Sequence, residues 1–580
     1  MRHEHTEQNA TPAGRLLVDG DTCDVVVVGS GGGGLAAALT AACKGLDVVV
    51  LEKAPVFGGV TAISGGGLWI PCNHVAARAG IADSHEKAMT YFQHCVGERM
   101  ELPVVESFLR NGPQMLEYFE QNTEVKFTHA VGRPDYHPQT PGFAEEGRTI
   151  HPLPFDAREL GAEVARLRPP LAEMTFMGLM IKPGPDLKHF LNVFRSFEST
   201  VFVARRLLRH FRDLALHGRA MDLSNGNALI GRLAKSAFAK GVRIHTSVAV
   251  TGLVKTNGRV SAVRFANSAG SGVLNARRGV VLASGGFSHD VERRKALFPH
   301  APTGREHVTA APQTNTGDGL RMAEAIDAQF KSDHAHAACW APVSVVPQRD
   351  GSVVPVPHLI DRQKPGFIAV TRHGRRFVNE AHSYHDFGIG LAAACKGEPE
   401  AFCFLIADHP TIRRYGIGAV KPAPIPIGAH LKSGYLLRGA SLRELAQRAG
   451  IDTEAFEATV REFNRDAANG RDPAYGRGDN VYNRYNGDAA HQPNPCVAPI
   501  TEGPYYAVRI VMGELGTFAG LRIDEHARVV DHGGQPIPGL YAAGNDAANL
   551  MGGDYMSGGS TLGPALAFGY VAGCHLAGEA

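Results

Sequence analysis

Gly29, Gly31 and Gly34 stand in G-x-G-x-x-G spacing, directly after the apolar run 25–28 and directly before a long Ala/Leu-rich stretch. An acid, Glu52, closes the next apolar run, 48–51. Residues of these types at these spacings can bind a dinucleotide. The glycines allow a tight turn, close approach of backbone to a pyrophosphate, and close packing of helix on strand. The helix that follows offers unpaired N–H groups and the positive end of its dipole to phosphate oxygens. Glu52 falls where a carboxylate accepts from ribose hydroxyls, and an acid there disfavours the 2′-phosphate of NADP. A bare glycine pattern carries little in a chain with 68 glycines, so the reading rests on strand, turn, helix, strand and terminal acid arriving in order. NAD and FAD both stay open at this point.

The elements that must position this set are legible from the same residues. The all-valine run 25–28 suits a parallel strand buried on both faces, and 48–51 repeats it. At 580 residues the chain should hold more than one domain. It is 44% hydrophobic and 20% charged with a formal net charge of +2, so nothing electrostatic supports a nucleic-acid partner. Nine cysteines, at 23, 43, 72, 95, 339, 395, 403, 496 and 574, form no C-x-x-C pair. Neither a zinc cluster nor a disulfide framework is suggested, and free thiols fit a cytoplasmic protein. No metal is expected: His245, His334 and His336 lack a third ligand at metal spacing. The first 20 residues read as a disordered lead-in without an apolar signal core, and no apolar segment is long enough to span a bilayer.

Beyond Glu52, the passage 57–71 is dense in glycine (Gly58, Gly59, Gly65, Gly66, Gly67), with hydroxyls at Thr61 and Ser64. Such backbone can lie against a flat or phosphate-bearing ligand. Residues 83–122 carry helical periodicity; the loop-like 132–156 contains Tyr136. A basic amphipathic helix is expected over 185–217. It leaves peripheral membrane contact open, although packing on a core or a partner subunit is the commoner use of such a face. A helix over 225–240, strands at 242–245 and about 249–254, a buried strand at 279–282 ending in ASGGF, and a glycine turn opening a helix at 315–328 follow. From about 336 the chain changes to mixed strands and loops, with helices over 441–464. The last part, 520–578, resumes the small-residue style of the beginning, with YAAGN at 541–545 and an Ala/Gly helix from Ser560. The economical arrangement is a dinucleotide domain made of both chain ends with a second domain inserted, pockets forming where they face.

The combination of DVVVVGSGGGGLAAA, VVVLEK, GRRFVNE (374–380) and the terminal GLYAAGN with GGSTLGPALAFG resembles the FAD-dependent fumarate reductase/succinate dehydrogenase flavoprotein superfamily, from residue 21 onward. The resemblance implies an α/β fold: a Rossmann-like FAD-binding domain from both chain ends, with an inserted α+β catalytic domain. The implied division is a lead-in over 1–20, FAD-binding over 21–335 with a helical insertion at 165–220, catalytic over 336–504, and FAD-binding again over 505–580. It implies non-covalent FAD, since no histidine stands at 58–67, with Glu52 on the ribose. The implied cofactor contacts are Gly29, Gly31, Gly33, Gly34, Glu52, Lys53, Gly59, Thr61, Ser64, Gly65, Gly66, Val248, Ser284, Gly285, Gly317, Asp318, Gly544, Asn545, Gly559, Ser560, Thr561 and Leu562.

Two departures separate this chain from fumarate reductases. Tyr384 stands where the register from Asn379 and Glu380 places a catalytic arginine, and 554–559 lacks the arginine that clamps a substrate carboxylate. Without both guanidiniums a dicarboxylate loses its bidentate forks. Tyr384 and Tyr555 instead resemble those of 3-ketosteroid Δ1-dehydrogenases, although Ser557 and Ser560 replace small residues common there. The implied chemistry is introduction of a C=C beside a ketone: Tyr384 removes the α proton, Tyr555 and the Gly559 N–H polarise the oxygen, Tyr136 supports the base, and flavin N5 accepts the β hydride. His382 and His385, rival bases, are expected on the opposite face of a strand from Tyr384. Asp554 reads as a loop partner. An apolar cyclic ketone, above all a 3-ketosteroid, is the expected substrate. A smaller cyclic ketone, a Δ4 bond of a 5α-steroid, or reduction of an unsaturated acid stay as alternatives. The electron acceptor (a quinone or an artificial dye) and the oligomeric state, monomer or homo-oligomer, stay open.

Overall fold

The computed structural model describes residues 17–181 and 195–579, together with 186, 189, 190, 192 and 193. Two large sheets organise it. The first has a parallel core in which Thr22–Val28 lies between Val48–Glu52 and Gly270–Leu282. Arg243–Thr246 extends it on one side and Pro536–Ala542 on the other. The valines at 25–28 and 48–50 are buried on both faces, as a parallel sheet covered by helices requires. Both ends of the chain therefore build one α/β, Rossmann-type unit. The helices Gly32–Cys43 and Leu562–Leu576 seal it. They approach closely because glycine stands at the contact: a Cβ on Gly569 would collide with the Gly33 carbonyl, and one on Gly573 with the Thr40 side chain.

The second sheet is mixed and runs in the order Val353–Pro357, Ala338–Pro347, Tyr505–Thr517, Phe402–Asp408, Phe367–Val370. Its central strand departs from the expected division. Residues 505–517 belong to this sheet, pairing with Ala338–Pro347 and Phe402–Asp408 rather than returning to the dinucleotide unit. The Pro- and Asn-rich passage 478–504 leads directly into this strand. Val308–Thr309 joins the same strand from the other direction. We therefore propose that the division between units falls after 517. The lead-in also ends earlier than expected, because Leu17 is buried and the Gly20 N–H donates to the Val273 carbonyl at 2.9 Å; residues 1–16 of that reading lie outside the described residues. The same holds for part of the expected helix over 185–217, of which Phe197–His217 is described, with Val203 buried and Phe197, Leu208 and Leu216 exposed.

The GRRFVNE turn is built around charge. Glu380, fully buried, accepts from Arg376 Nε at 2.8 Å and Nη2 at 2.6 Å, from the Ala369 N–H at 3.0 Å, and from Arg477 at 3.3 Å. Arg376 also forks onto Asp472 at 2.8 and 2.7 Å. Burial pushes the Glu380 carboxyl up, but the two guanidiniums outweigh it and hold the group below its ordinary range. This knot fixes the chain just before Ser383, which caps the helix Tyr384–Ala394 by accepting from the Asp386 N–H at 3.1 Å. Glu380→Ala would leave two buried guanidiniums short of a carboxylate, with an expected loss of about 3–5 kcal/mol. Urea unfolding measures this; a loss under about 1 kcal/mol would mean the knot behaves as a solvated pair.

Candidate active site

Between the C-terminal ends of the first sheet's strands and the terminal helix runs a cleft. Sixteen of the implied cofactor residues line it: Gly29, Gly31, Gly33, Glu52, Lys53, Gly59, Thr61, Ser64, Val248, Ser284, Gly285, Asp318, Gly544, Asn545, Thr561 and Leu562. Its walls are backbone where a phosphate chain must pass, since a Cβ on Gly33 would come within 3.0 Å of the Gly544 nitrogen and the Ala565 oxygen. The Glu52 carboxylate is held by the Ser30 N–H at 3.1 Å, the Ser30 hydroxyl at 2.5 Å and the Ala54 N–H at 2.8 Å. Arg168 also lines the cleft, with its Nε enclosed and lacking a partner. An enclosed donor at this place suits the acceptor-rich FAD, so the residues present fit the cofactor. Arg168, Ser30 and Asn315 were not singled out from sequence, although Ser30 lies inside the G-x-G-x-x-G motif and Asn315 inside the NTGDG turn; Arg168 lies in no recognised motif.

Six implied contacts lie off the lining. Gly34 packs on the strand, because a Cβ there would strike the Gly29 carbonyl; Gly66 does the same against Asn225. Gly65 faces open space, and Gly317 caps the Asp318–Glu324 helix in a left-handed conformation, φ 76°. The Ser560 hydroxyl is spent within its own turn, donating to the Ser557 carbonyl at 2.8 Å. Gly559, at φ 102°, lies on the backbone of Gly67 and Trp69. For Gly34, Gly66, Gly317, Gly559 and Ser560, close backbone, a positive φ or a turn accounts for the residue at the place itself.

Beside the cleft, Tyr136, Tyr384, Tyr482 and Tyr555 pack with Cys339 and Phe518 in one buried cluster. Ring centroids lie 5.2 Å apart for Tyr384 and Tyr555, 5.9 Å for Tyr136 and Tyr384, and 5.8 Å for Tyr136 and Tyr555. The Gly559 N–H donates to the Tyr555 hydroxyl at 3.2 Å, so the two expected oxygen-polarising groups meet at one point. Tyr136 is drawn in from an irregular loop by its backbone, the Tyr136 N–H donating to the Met556 carbonyl at 2.9 Å. Tyr482 had no motif to reveal it. The expected strand around 382–385 is instead the start of a helix, with Tyr384 its first residue; the serine cap, not alternation, governs there. His385 still points away from the phenols: its Nδ1 accepts from the Trp340 N–H at 3.0 Å, and burial pulls it down to about 4.

Charge enters the cluster from the 130–137 loop. Arg133 donates to the Tyr136 hydroxyl at 3.0 Å and rests on the Gly558 backbone. Sequence reasoning missed it, because the guanidinium comes from an unrelated loop and not from either family motif. His137 pairs with Asp554 at 3.1 Å, joining the residues next to Tyr136 and Tyr555. With Cys95 their ligand atoms lie within 4.8 Å of one another, but burial holds the Cys95 thiol well above its ordinary value and thus protonated. Burial alone would depress His137; the hydrogen bond and charge of Asp554 outweigh it and raise the imidazole to about 9. The folded protein therefore keeps His137 charged where the unfolded chain, at 6.5, has released its proton. The pair's contribution is complete below pH 6.5 and fades as pH rises through about 9. Thermal unfolding from pH 6 to pH 10 should show this decline, and His137→Gln should flatten it. An unchanged slope in the variant would assign the decline elsewhere.

A sequence profile of FAD binding domains matches residues 24–562. The chain is 44% identical over 573 residues to 4-oxocyclohex-2-ene-1-carboxylate 5-dehydrogenase of Sinomonas cyclohexanicum, covering 98% of this chain and 95% of the relative. It is 38% identical over 573 residues to 3-oxosteroid 1-dehydrogenase of Mycobacterium tuberculosis, covering 96% and 98%. The crystal structure of 3-ketosteroid Δ1-dehydrogenase from Sterolibacterium denitrificans in complex with 1,4-androstadiene-3,17-dione superposes with a TM-score of 0.89 at 33% identity, over 97% of this chain and 100% of that one. A flavocytochrome c3 fumarate reductase shares the fold, with a TM-score of 0.64 at 22% identity over 97% of this chain and 79% of that one. The protein belongs to the FAD-binding flavoprotein family that includes the ketosteroid dehydrogenases, and it is an FAD-dependent oxidoreductase acting on CH–CH groups.

Proposed function

We propose that Tyr384, Tyr555 and the Gly559 N–H carry out desaturation of a cyclic ketone at the bond adjoining its carbonyl. The observation that carries this reading is the convergence of the Tyr555 hydroxyl and the Gly559 N–H, 3.2 Å apart, beside the Tyr384 ring. A ketone oxygen seated between the two donors accepts from both as negative charge develops on it, each donor supplying about 3 kcal/mol of transition-state stabilisation. The α C–H bond breaks toward the Tyr384 oxygen, which takes the proton. The resulting enolate is held by Tyr555 and Gly559, and as the C=C forms the β hydrogen leaves with its electron pair. FAD, when bound, supplies the hydride acceptor for which no side chain can substitute.

The cost falls on the base. Burial, with the neighbouring phenols, holds the Tyr384 hydroxyl well above its ordinary 10 in the substrate-free site, and each pKa unit of that elevation opposes ionisation by about 1.4 kcal/mol. The arrangement offers two compensations. Tyr384 opens a helix, whose N-terminal dipole favours negative charge, and Tyr136, which packs edge-on against it, takes the part of the supporting phenol. The relatives act on steroid ketones and on small ring ketones alike, and the phenol pair addresses the part these share. Reoxidation falls to a quinone, or to an artificial dye in the assay.

The flavin-loaded protein should desaturate androst-4-ene-3,17-dione or 4-oxocyclohexanecarboxylate with an artificial acceptor. Tyr555→Phe, losing one oxygen donor, should lower turnover about 100-fold at normal flavin content. Wild-type rates in that variant, or fumarate reduction with reduced viologen as the sole activity, would overturn the assignment.

A further inference from the structure

Arg133, like Arg168 on the cofactor cleft, lacks the partners that other large buried or half-buried guanidiniums of this protein have. Arg148 is matched by Asp83 and Asp135, and Arg376 by Glu380 and Asp472. Arg477 has Glu380 and backbone carbonyls, while Arg362 lies among carbonyls of its own turn and of 380–382. Arg133 has one hydrogen bond, to a neutral phenol, and its Nε is enclosed without a partner. Among the described residues no carboxylate forms an ion pair with it.

A second orphan nitrogen lies near by. His151 Nδ1 is buried and unpartnered, and its ring faces the gap between Gly67 and Gly558: a Cβ on Gly67 would sit 3.3 Å from the His151 ring and 3.6 Å from the Gly558 oxygen. Arg133 rests on that same Gly558. Burial, then the Arg133 charge, pulls His151 down to about 3, so it is neutral and adds no second cation. Two unsatisfied nitrogens, one on a permanent cation, thus flank backbone that adjoins the Gly559 N–H.

We infer that Arg133 anchors a carboxylate carried by the substrate, and that the preferred substrate is a monocyclic keto acid whose carboxylate lies across the ring from the ketone. The inference rests on the proposed seating of the ketone at Tyr555 and Gly559, which fixes the other end of the ring. A planar carboxylate matches the guanidinium fork and satisfies the enclosed Nε. An uncharged ring filling the same space would leave the guanidinium desolvated and unpaired, an arrangement that is strongly disfavoured. One anchoring guanidinium, not two, fits a monocarboxylate.

The test compares 4-oxocyclohexanecarboxylate with its methyl ester on the flavin-loaded enzyme. Wild type should prefer the acid in kcat/KM by about 100-fold, the effect of a desolvated charge pair. Arg133→Gln should bring that ratio to within a few-fold of one, with Arg133→Lys between. A wild-type ratio near one, or a ratio that survives in Arg133→Gln, overturns the inference; the second result would mean that Arg133 acts on the phenols. Calorimetric binding of 4-hydroxybenzoate against its methyl ester reads the same preference without turnover, in wild type and in variants with normal flavin content. Absence of turnover with any ketone would defeat the desaturation reading while this comparison still decides the carboxylate. Steroid turnover without preferential binding of the acid overturns the carboxylate alone.

Discussion

One carbonyl holds the site together. The Met556 oxygen accepts from the Tyr136 N–H at 2.9 Å and from the Tyr91 hydroxyl at 2.9 Å, and that hydroxyl in turn accepts from the His137 N–H at 3.2 Å. Through this point the loop after residue 130 is fastened to the loop before the terminal helix, 420 residues later in the chain. The His137–Asp554 pair repeats the fastening one residue to the side. Tyr136 and Tyr555 therefore meet in one buried cluster only while the two loops stay joined, and Arg133 travels with Tyr136.

The remaining phenol arrives by a separate route with its own charge-based restraint. The Glu380 knot fixes the segment before Ser383, and the serine cap starts the helix at Tyr384. Here polar groups are buried in pairs, so they specify position at little electrostatic risk. The phenol cluster reverses that rule. It buries hydroxyls beside one guanidinium, Arg133, for which no carboxylate forms an ion pair among the described residues.

Much of the cofactor side was legible in the sequence, because its constraints are local. Gly29 to Glu52 follow one another along 24 residues, and Gly29, Gly33 and Gly34 each have a backbone neighbour that the absence of a Cβ permits. Tyr384 and Tyr555 were legible through the motifs around them. Arg133, Arg168 and Tyr482 were not, since each comes from a segment with no periodicity or spacing of its own and acquires its meaning only from tertiary neighbours. The strand Tyr505–Thr517 pairs outside the unit expected for it for a related reason. Burial and β-branching reveal a strand, but they do not reveal which sheet it joins. At Tyr384 local alternation suggested a strand, and the Ser383 cap decided for a helix.

The account depends on where a ketone oxygen sits. A crystal structure of the flavin-loaded protein with a bound dienone product tests this most directly. The account predicts that oxygen at about 3 Å from both the Tyr555 hydroxyl and the Gly559 nitrogen, with the Tyr384 hydroxyl facing the carbon next to the carbonyl. A product bound with its oxygen turned away from both donors, and Tyr384 packed only on protein, would contradict it.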